Sequence, residues 1–192
     1  MSESPSVNKD RVLTCSVYCN GNKLGNEYTL VAATVHLELN RIGKATLKFN
    51  AGNMNKQTFD ESDADLFKPG NAIRLEVGDI EKENILFDGM IIGLRIITDK
   101  DFHSYMLVEC RDHAYSATQG RKNRIFEKKK DCDIIKEVLS AYGSVEVDST
   151  PYQYPTLVQY YCSDWDFALS RADANGLFIF TDGGKIKVKK PD

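Results

Sequence analysis

The sequence predicts a mainly β protein of the α+β class, with a small antiparallel β-barrel over residues 1–120 followed by an α/β domain over residues 121–192. Three observations predict it. Apolar and polar residues alternate with a period of two through the first two-thirds of the chain, the signature of half-buried strands. The texture changes near Arg121 to mixed helical and strand spacing. Turn residues punctuate the alternating runs at short intervals.

The strands come in order. Leu13, Cys15, Val17 and Cys19 alternate with Thr14, Ser16 and Tyr18; Val35, Leu37 and Leu39 alternate with Thr34, His36, Glu38 and Asn40. After a turn at Arg41-Ile42-Gly43, Ala45, Leu47 and Phe49 alternate with Thr46, Lys48 and Asn50. A polar loop with the acidic run 60–65 and a turn at Pro69-Gly70 lead to Ile73, Leu75 and Val77. Two longer strands, about Ile85 to Ile97 and Phe102 to Arg111, end the region. Six or so strands at this spacing suggest a closed barrel, because closure hides strand edges. The Ile85 strand is apolar on both faces: Leu86, Met90, Ile92, Leu94 and Ile96 on one, Phe87, Ile91 and Ile97 on the other. A barrel needs one apolar face, so the second is expected to meet the α/β domain or another subunit.

In the second region, Arg121-Lys122-Asn123-Arg124 and Lys128-Lys129-Lys130 form a basic segment that reads as a solvated linker between domains. Asp131 or Asp133 opens a helix in which Ile135, Val138, Leu139 and Tyr142 share a face, with Gly143 as its stop. Short strands follow at Val145 to Val147 and through Leu157. Ser163 is placed to cap a second helix, and Asp166, three residues on, to complete a capping box. Capping and the positive helix end account for both Asp164 and Asp166, in preference to an acid–base pair. Trp165, Ala168, Leu169 and Ala172 form that helix's apolar stripe, and Gly176 can take the left-handed conformation that stops it. Trp165 is therefore expected to pack inside, fixing the helix against one sheet that includes the Gln159 and Leu177 strands. A hairpin turning at Thr181-Asp182-Gly183-Gly184 ends the chain, with Ile186 and Val188 alternating with lysines.

Composition narrows the function. A chain of 192 residues that is 42% hydrophobic has length enough for a real core. A net charge of −3 argues against a dedicated nucleic-acid binder, and the basic segment lacks interleaved aromatics apart from Phe126. No run approaches the roughly 18 apolar residues of a membrane helix, and the opening residues carry no apolar signal core. Five scattered cysteines fit reduced thiols and make no recognisable zinc pattern. His36, His103 and His113 pair with no nucleophile motif, and Gly43-Lys44 lacks the rest of a P-loop. No catalytic, cofactor-binding or metal residue is assigned and no cofactor is expected. A hydrolase-like enzyme stays open because triads assemble from distant residues, as does a nucleic-acid-binding module.

Residues 158–180 resemble one family. Gln159, then Ser163-Asp164-Trp165-Asp166-Phe167, then Asn175-Gly176 and the apolar run Leu177 to Phe180 are similar to the N-terminal hub region of VgrG. VgrG is the spike protein of bacterial type VI secretion, related to contractile-phage baseplate hubs and late control protein D. Phe87-Asp88-Gly89 looks like the Phe-x-Gly-x-Ile signature of the first hub barrel, and Arg124-Ile125-Phe126 like the family's Arg-x-Phe segment. The residues carrying the resemblance are Phe87, Gly89, Arg124, Phe126, Gln159, Ser163, Asp164, Trp165, Asp166, Phe167 and Gly176, which cover the chain from about Phe87 onward.

The resemblance implies a structural, non-enzymatic part of a contractile injection machine. Such hubs are homotrimers in full-length form, joining a hexameric tube protein to a trimeric needle, with other spike subunits and effector cargo as partners. They do not bind nucleic acid, and they meet a membrane only by mechanical puncture. Assembly would be cytoplasmic, followed by delivery outside the cell with the spike. A contractile phage tail or an extracellular injection system shares the fold. The sequence stops at Lys189-Lys190-Pro191-Asp192, before a second barrel would be completed, as in a truncated hub or a short relative.

Overall fold

The computed structural model describes residues 14–50, 65–79, 83–101 and 103–191. Leu13, Phe102, the opening residues and positions 60–64 of the acidic run lie outside the described residues. Seven strands form one antiparallel sheet: β1 Thr14–Cys19, β2 Asn22–Lys23, β3 Leu30–His36, β4 Lys44–Asn50, β5 Ala72–Gly78, β6 Glu83–Thr98 and β7 Ser104–Asp112. Their order is β2-β1-β5-β6-β7-β4-β3. Val17 and Cys19 of β1 share a core with Leu47 and Phe49 of β4, although three strands of the sheet separate them. The sheet therefore curls around its apolar face.

Its ladder does not close, which corrects the expected closed barrel. Among the described residues β2 and β3 are free ends, and side chains fill the gap instead. Leu24, Tyr28 and Leu30 pack on the core, and Phe67 takes the Tyr28 ring edge-on at 5.5 Å and the Phe49 ring at 5.4 Å. The β3 expectation is also shifted. The strand ends at His36, which leaves Leu37 and Leu39 exposed in the turn that follows.

The doubly apolar strand has a specific cause. A bulge between Ile91 and Gly93 slips the β6–β7 register by one residue, and a one-residue slip sends the following side chains to the opposite face. Phe87 and Ile91 point into the core before the bulge; beyond it Leu94 lies opposite Val108 and Ile96 opposite Met106. The two faces expected from simple alternation are thus wrong past Ile91. β5 pairs only as far as Met90, so Leu94 and Ile96 stay 43% and 49% exposed. Leu86 is exposed as well, and Met90 and Ile92 are half-buried. The cover expected on the second face is partial within this chain.

The remaining residues build a second core. A 3-10 turn at His113–Thr118 leads to β8 Lys122–Lys130, α1 Asp131–Leu139, β9 Val145–Val147, β10 Gln153–Cys162, α2 Asp164–Asp173, β11 Phe178–Asp182 and β12 Lys185–Lys189. The basic segment expected as a linker is thus a strand, β8, paired antiparallel with β10. The single sheet expected behind α2 is two sheets: the β8–β10 ribbon, and β11-β12-β9 with β12 and β9 parallel. Between them lie Ile134, Ile135, Val138 and Leu139 of α1, Trp165, Ala168 and Ala172 of α2, and Leu177, Ile179, Ile186 and Val188.

The two cores meet across a polar seam. Asp112 is 2% exposed, and its Oδ2 accepts from the Gly43 amide at 2.6 Å and the Thr181 hydroxyl at 3.0 Å. Asn40, at φ +60°, clamps Ile179 by donating its amide to the carbonyl at 2.7 Å and accepting the Ile179 amide on its side chain at 2.9 Å. Burial pushes the Asp112 carboxyl above the usual carboxylate range. The His113 ring donates to the Asp88 carboxylate at 3.2 Å, and that bond raises the His113 pKa.

Candidate functional site

The residues singled out in the second region converge at the start of α2. Ser163 sits in extended backbone before the helix, and its Oγ accepts the Asp166 amide at 3.1 Å while donating to Asp166 Oδ2 at 2.6 Å. That satisfies an otherwise orphan N–H of the first turn. Trp165 is 5% exposed within the second core, as its spacing predicts. Phe167 stacks on Phe126 of β8, with centroids 5.7 Å apart and planes 12° from parallel. Gly176, at φ +65°, ends the helix in the left-handed conformation.

Asp164 departs from the expected capping role. Its side chain is fully buried and anchors a polar centre. Lys122 Nζ donates to it at 2.6 Å, Tyr142 Oη at 2.7 Å, Gln159 Nε2 at 2.9 Å, and Arg124 through two nitrogens at 3.1 and 3.3 Å. Lys122, Arg124 and Phe126 alternate along β8, so one face of that strand supplies both cations and the ring on Phe167. Burial works to raise the Asp164 pKa, but the bonds from Gln159, Lys122 and Tyr142 and the Arg124 charge outweigh it and hold the carboxylate below its usual range.

A second centre, absent from the sequence reading, lies at the start of α1. Asp131 is 1% exposed and accepts from Arg171 Nε at 2.7 Å, Arg171 Nη2 at 3.2 Å and Asn175 Nδ2 at 2.8 Å. Arg171 also donates to Tyr154 Oη at 2.9 Å, and the buried Thr150 hydroxyl accepts the Cys132 amide at 3.0 Å. Burial opposes ionisation here too, and the Arg171 and Asn175 bonds prevail, so Asp131 is held low. The resemblance singles out Arg124, Gln159 and Asp164 of the first centre, and the spacing of Lys122 and Arg124, read as a strand, could have added Lys122. The second has no sequence signal, because its members lie up to 44 residues apart.

Phe87 and Gly89 stand apart from this site, in the sheet. Phe87 is 3% exposed, and a Cβ at Gly89 would lie 2.1 Å from the Arg111 carbonyl oxygen. The close approach of β6 to β7 thus requires glycine there.

The chemistry of both centres is structural. Asp164 accepts five hydrogen bonds and Asp131 three, and both carboxyls are held low, which suits bracing better than taking a proton from a substrate. His113 bonds Asp88 and, among the described residues, no serine or cysteine hydrogen-bonds to it. An open hollow of about 480 Å³ beside α2 is lined by Thr118, Arg121, Tyr161, Cys162, Ser163 and Asp166. At the β6–β7 turn, Asp99, Asp101 and His103 hold donor atoms within 4.8 Å of one another on the exposed surface.

Residues 9–192, nearly the whole chain, match the family described as the Alg8 N-terminal domain. The chain belongs to that family. No curated protein matches it, but solved structures do. The 43 kDa tail protein of prophage MuSo2 from Shewanella oneidensis matches 94% of this chain and 54% of its own at 12% identity, with a TM-score of 0.74. A type VI secretion component of Escherichia coli, described as structurally similar to the T4 bacteriophage tail proteins gp27 and gp5, matches 90% of this chain and 48% of its own at 12% identity and TM-score 0.66. The Francisella PdpA–VgrG complex matches 94% of this chain and 29% of its own at 15% identity and TM-score 0.55. The fold is that of phage tail and type VI secretion proteins, in agreement with the VgrG-type resemblance and with a mainly β, α+β class. The chain spans about half the length of the first two.

Proposed function

We propose that this chain is a structural component of a contractile injection machine and acts as a hub where a hexameric tube meets a trimeric needle. The likeness of fold over 94% of the chain to a phage tail protein carries the reading. The buried carboxylates at Asp131 and Asp164 support a mechanical role, since they cross-brace helices and strands. In this reading residues 1–120 and 121–192 are the two hub domains, and Phe87, Gly89, Arg124, Phe126, Gln159, Ser163, Asp164, Trp165, Asp166, Phe167 and Gly176 are its framework. Full-length hubs trimerise, carry effector cargo and are assembled in the cytoplasm before delivery with the spike.

Because both phage tail and type VI secretion proteins share the fold, the second reading is a phage tail or an extracellular injection system. The test is co-expression of the protein with a tube protein from the same genome, followed by affinity capture and electron microscopy. A ring of hub density at one tube end is expected. Tubes with bare ends and no co-captured hub overturn the proposal.

A further inference from the structure

The β8–β10 ribbon turns one face to the second core and leaves the other bare. Ile125 and Val158 are directly paired and stand 69% and 50% exposed, with Tyr160 at 81% beside them. Among the described residues the two strands pair only with each other, and a lone two-stranded ribbon is marginal without further partners. Its charge is one-sided. Residues 121–130 hold six cations and one carboxylate and residues 153–162 none of either, a net +5 that leaves −8 for the rest of a chain whose total is −3. Lys122 and Arg124 are spent on Asp164, and Lys129 on Glu137. Arg121, Lys128 and Lys130 have no ion-pair partner among the described residues; Arg121 rests on the Tyr161 ring at 4.9 Å.

We propose that this outer face docks an extended, acidic segment of a partner protein. The segment's apolar side chains sit on Ile125, Val158 and Tyr160, and its carboxylates reach Arg121 at one end of β8 and Lys128 and Lys130 at the other. Alternating side chains and bare strand edges suit a partner in β conformation. A nucleic acid fits less well. Nine residues of strand span about 30 Å, and three free cations over that length cannot track a strand bearing a charge every ~3.4 Å. Of the three apolar residues Tyr160 alone offers a ring for base stacking, while the residues paired at the centre, Ile125 and Val158, are aliphatic. Apart from Glu127, two residues along β8 from Ile125, the charges keep to the rim of an apolar centre, the pattern of a protein interface. The inference stands on this surface alone, whichever machine the chain serves.

The test is fluorescence anisotropy with a labelled peptide alternating glutamate and valine, about as long as the ribbon. A lysine–valine peptide and oligothymidine serve as controls. Binding of the acidic peptide alone is expected. It should weaken about tenfold or more in the triple variant Ile125→Ser, Val158→Ser, Tyr160→Ser, and by a similar factor in Arg121→Glu, Lys128→Glu, Lys130→Glu, while added salt weakens it further. All six side chains are on the surface, and unchanged melting points confirm that the variants fold. Failure to bind, binding indifferent to both variants, or preference for the lysine peptide or oligothymidine overturns the proposal. So does concentration-dependent self-association in sedimentation velocity that the serine variant abolishes, since a second copy of the chain would then own the face.

Discussion

The two cores are held together by different physics. The sheet core is almost wholly apolar; among the described residues seven polar ones are buried, of which only Ser16 belongs to it, and Asp112 sits at its seam with the rest. Asp131, Thr150, Gln159, Ser163 and Asp164 all lie in the α/β half. A curled seven-stranded sheet fixes its own geometry through a continuous ladder and needs only grease inside. The α/β half is assembled from two separate sheets and two short helices, with no ladder joining them. Directional bonds to buried carboxylates set how those pieces meet, and that makes this half sensitive to charge where the sheet is sensitive to volume.

Acid should separate the halves, and that is the largest effect expected. Asp131 and Asp164 are held low, so they contribute stability above the unfolded carboxylate value of about 3.9 and lose it as pH falls through their folded values. Asp112 is raised, so its contribution is complete below that same value and fades only as pH climbs through its folded pKa. The other lowered carboxylates of the sheet half, Glu83 and Asp99, are half-buried at the surface, open to solvent screening, and count for little. Trp165, the only tryptophan, reports on the α/β half alone. Its fluorescence should change before the strand signal in circular dichroism as pH falls from 5 toward 2; coincident transitions would mean that the halves unfold as one.

Two substitutions probe the α/β half from opposite sides. Trp165→Ala should cost about 3–5 kcal/mol by emptying the core. Asp164→Ala strands Lys122 and Arg124 against each other. Breaking a buried pair costs about 3–5 kcal/mol, and the low end applies because those cations are 37% and 34% exposed. Urea unfolding measures both, and an Asp164→Ala loss below about 1 kcal/mol, the level of a surface ion pair, would reduce the centre to that rank.

Glycines sharpen the contrast further. Gly89→Ala drives a methyl into the Arg111 carbonyl, an overpacking expected to cost at least ~1–3 kcal/mol. Gly176→Ala meets nothing within 4 Å and bears only the left-handed backbone penalty of about 1–2 kcal/mol. A thermal shift of about 2–4 °C per kcal/mol separates them, and equal shifts would show that β6 can move away from β7. The smallest effect is Ser163→Ala, about 1 kcal/mol from the lost cap, with helical circular dichroism preserved; a larger loss would mean that the Ser163–Asp166 pair supports the neighbouring Asp164 centre.

Much of this was legible in the chain. Period-two alternation placed Ala45, Leu47 and Phe49, and Ile73 and Leu75, inside the sheet, where all five are 1% exposed. The helical stripe of α2, its Ser163 cap, the Gly176 stop and the final hairpin follow from local spacing, because caps and turns close within a few residues of backbone. Local spacing fails where a bulge intervenes, and so the faces of β6 beyond Ile91 were misjudged. A run of lysines was mistaken for a linker because charge density says where side chains prefer water, and the backbone ladder of β8 is indifferent to it.

The sequence by itself determined most of the elements, the two apolar cores and the likeness to a hub. Only the tertiary structure decided that the sheet stays open, that β8 and β10 stand apart from β11, and that Asp131 and Asp164 are buried brackets. The physical reason is range. Periodicity and capping are set by neighbours along the chain, whereas a buried carboxylate is stable only when donors from distant segments, up to 44 residues away, arrive together to replace the water it has lost.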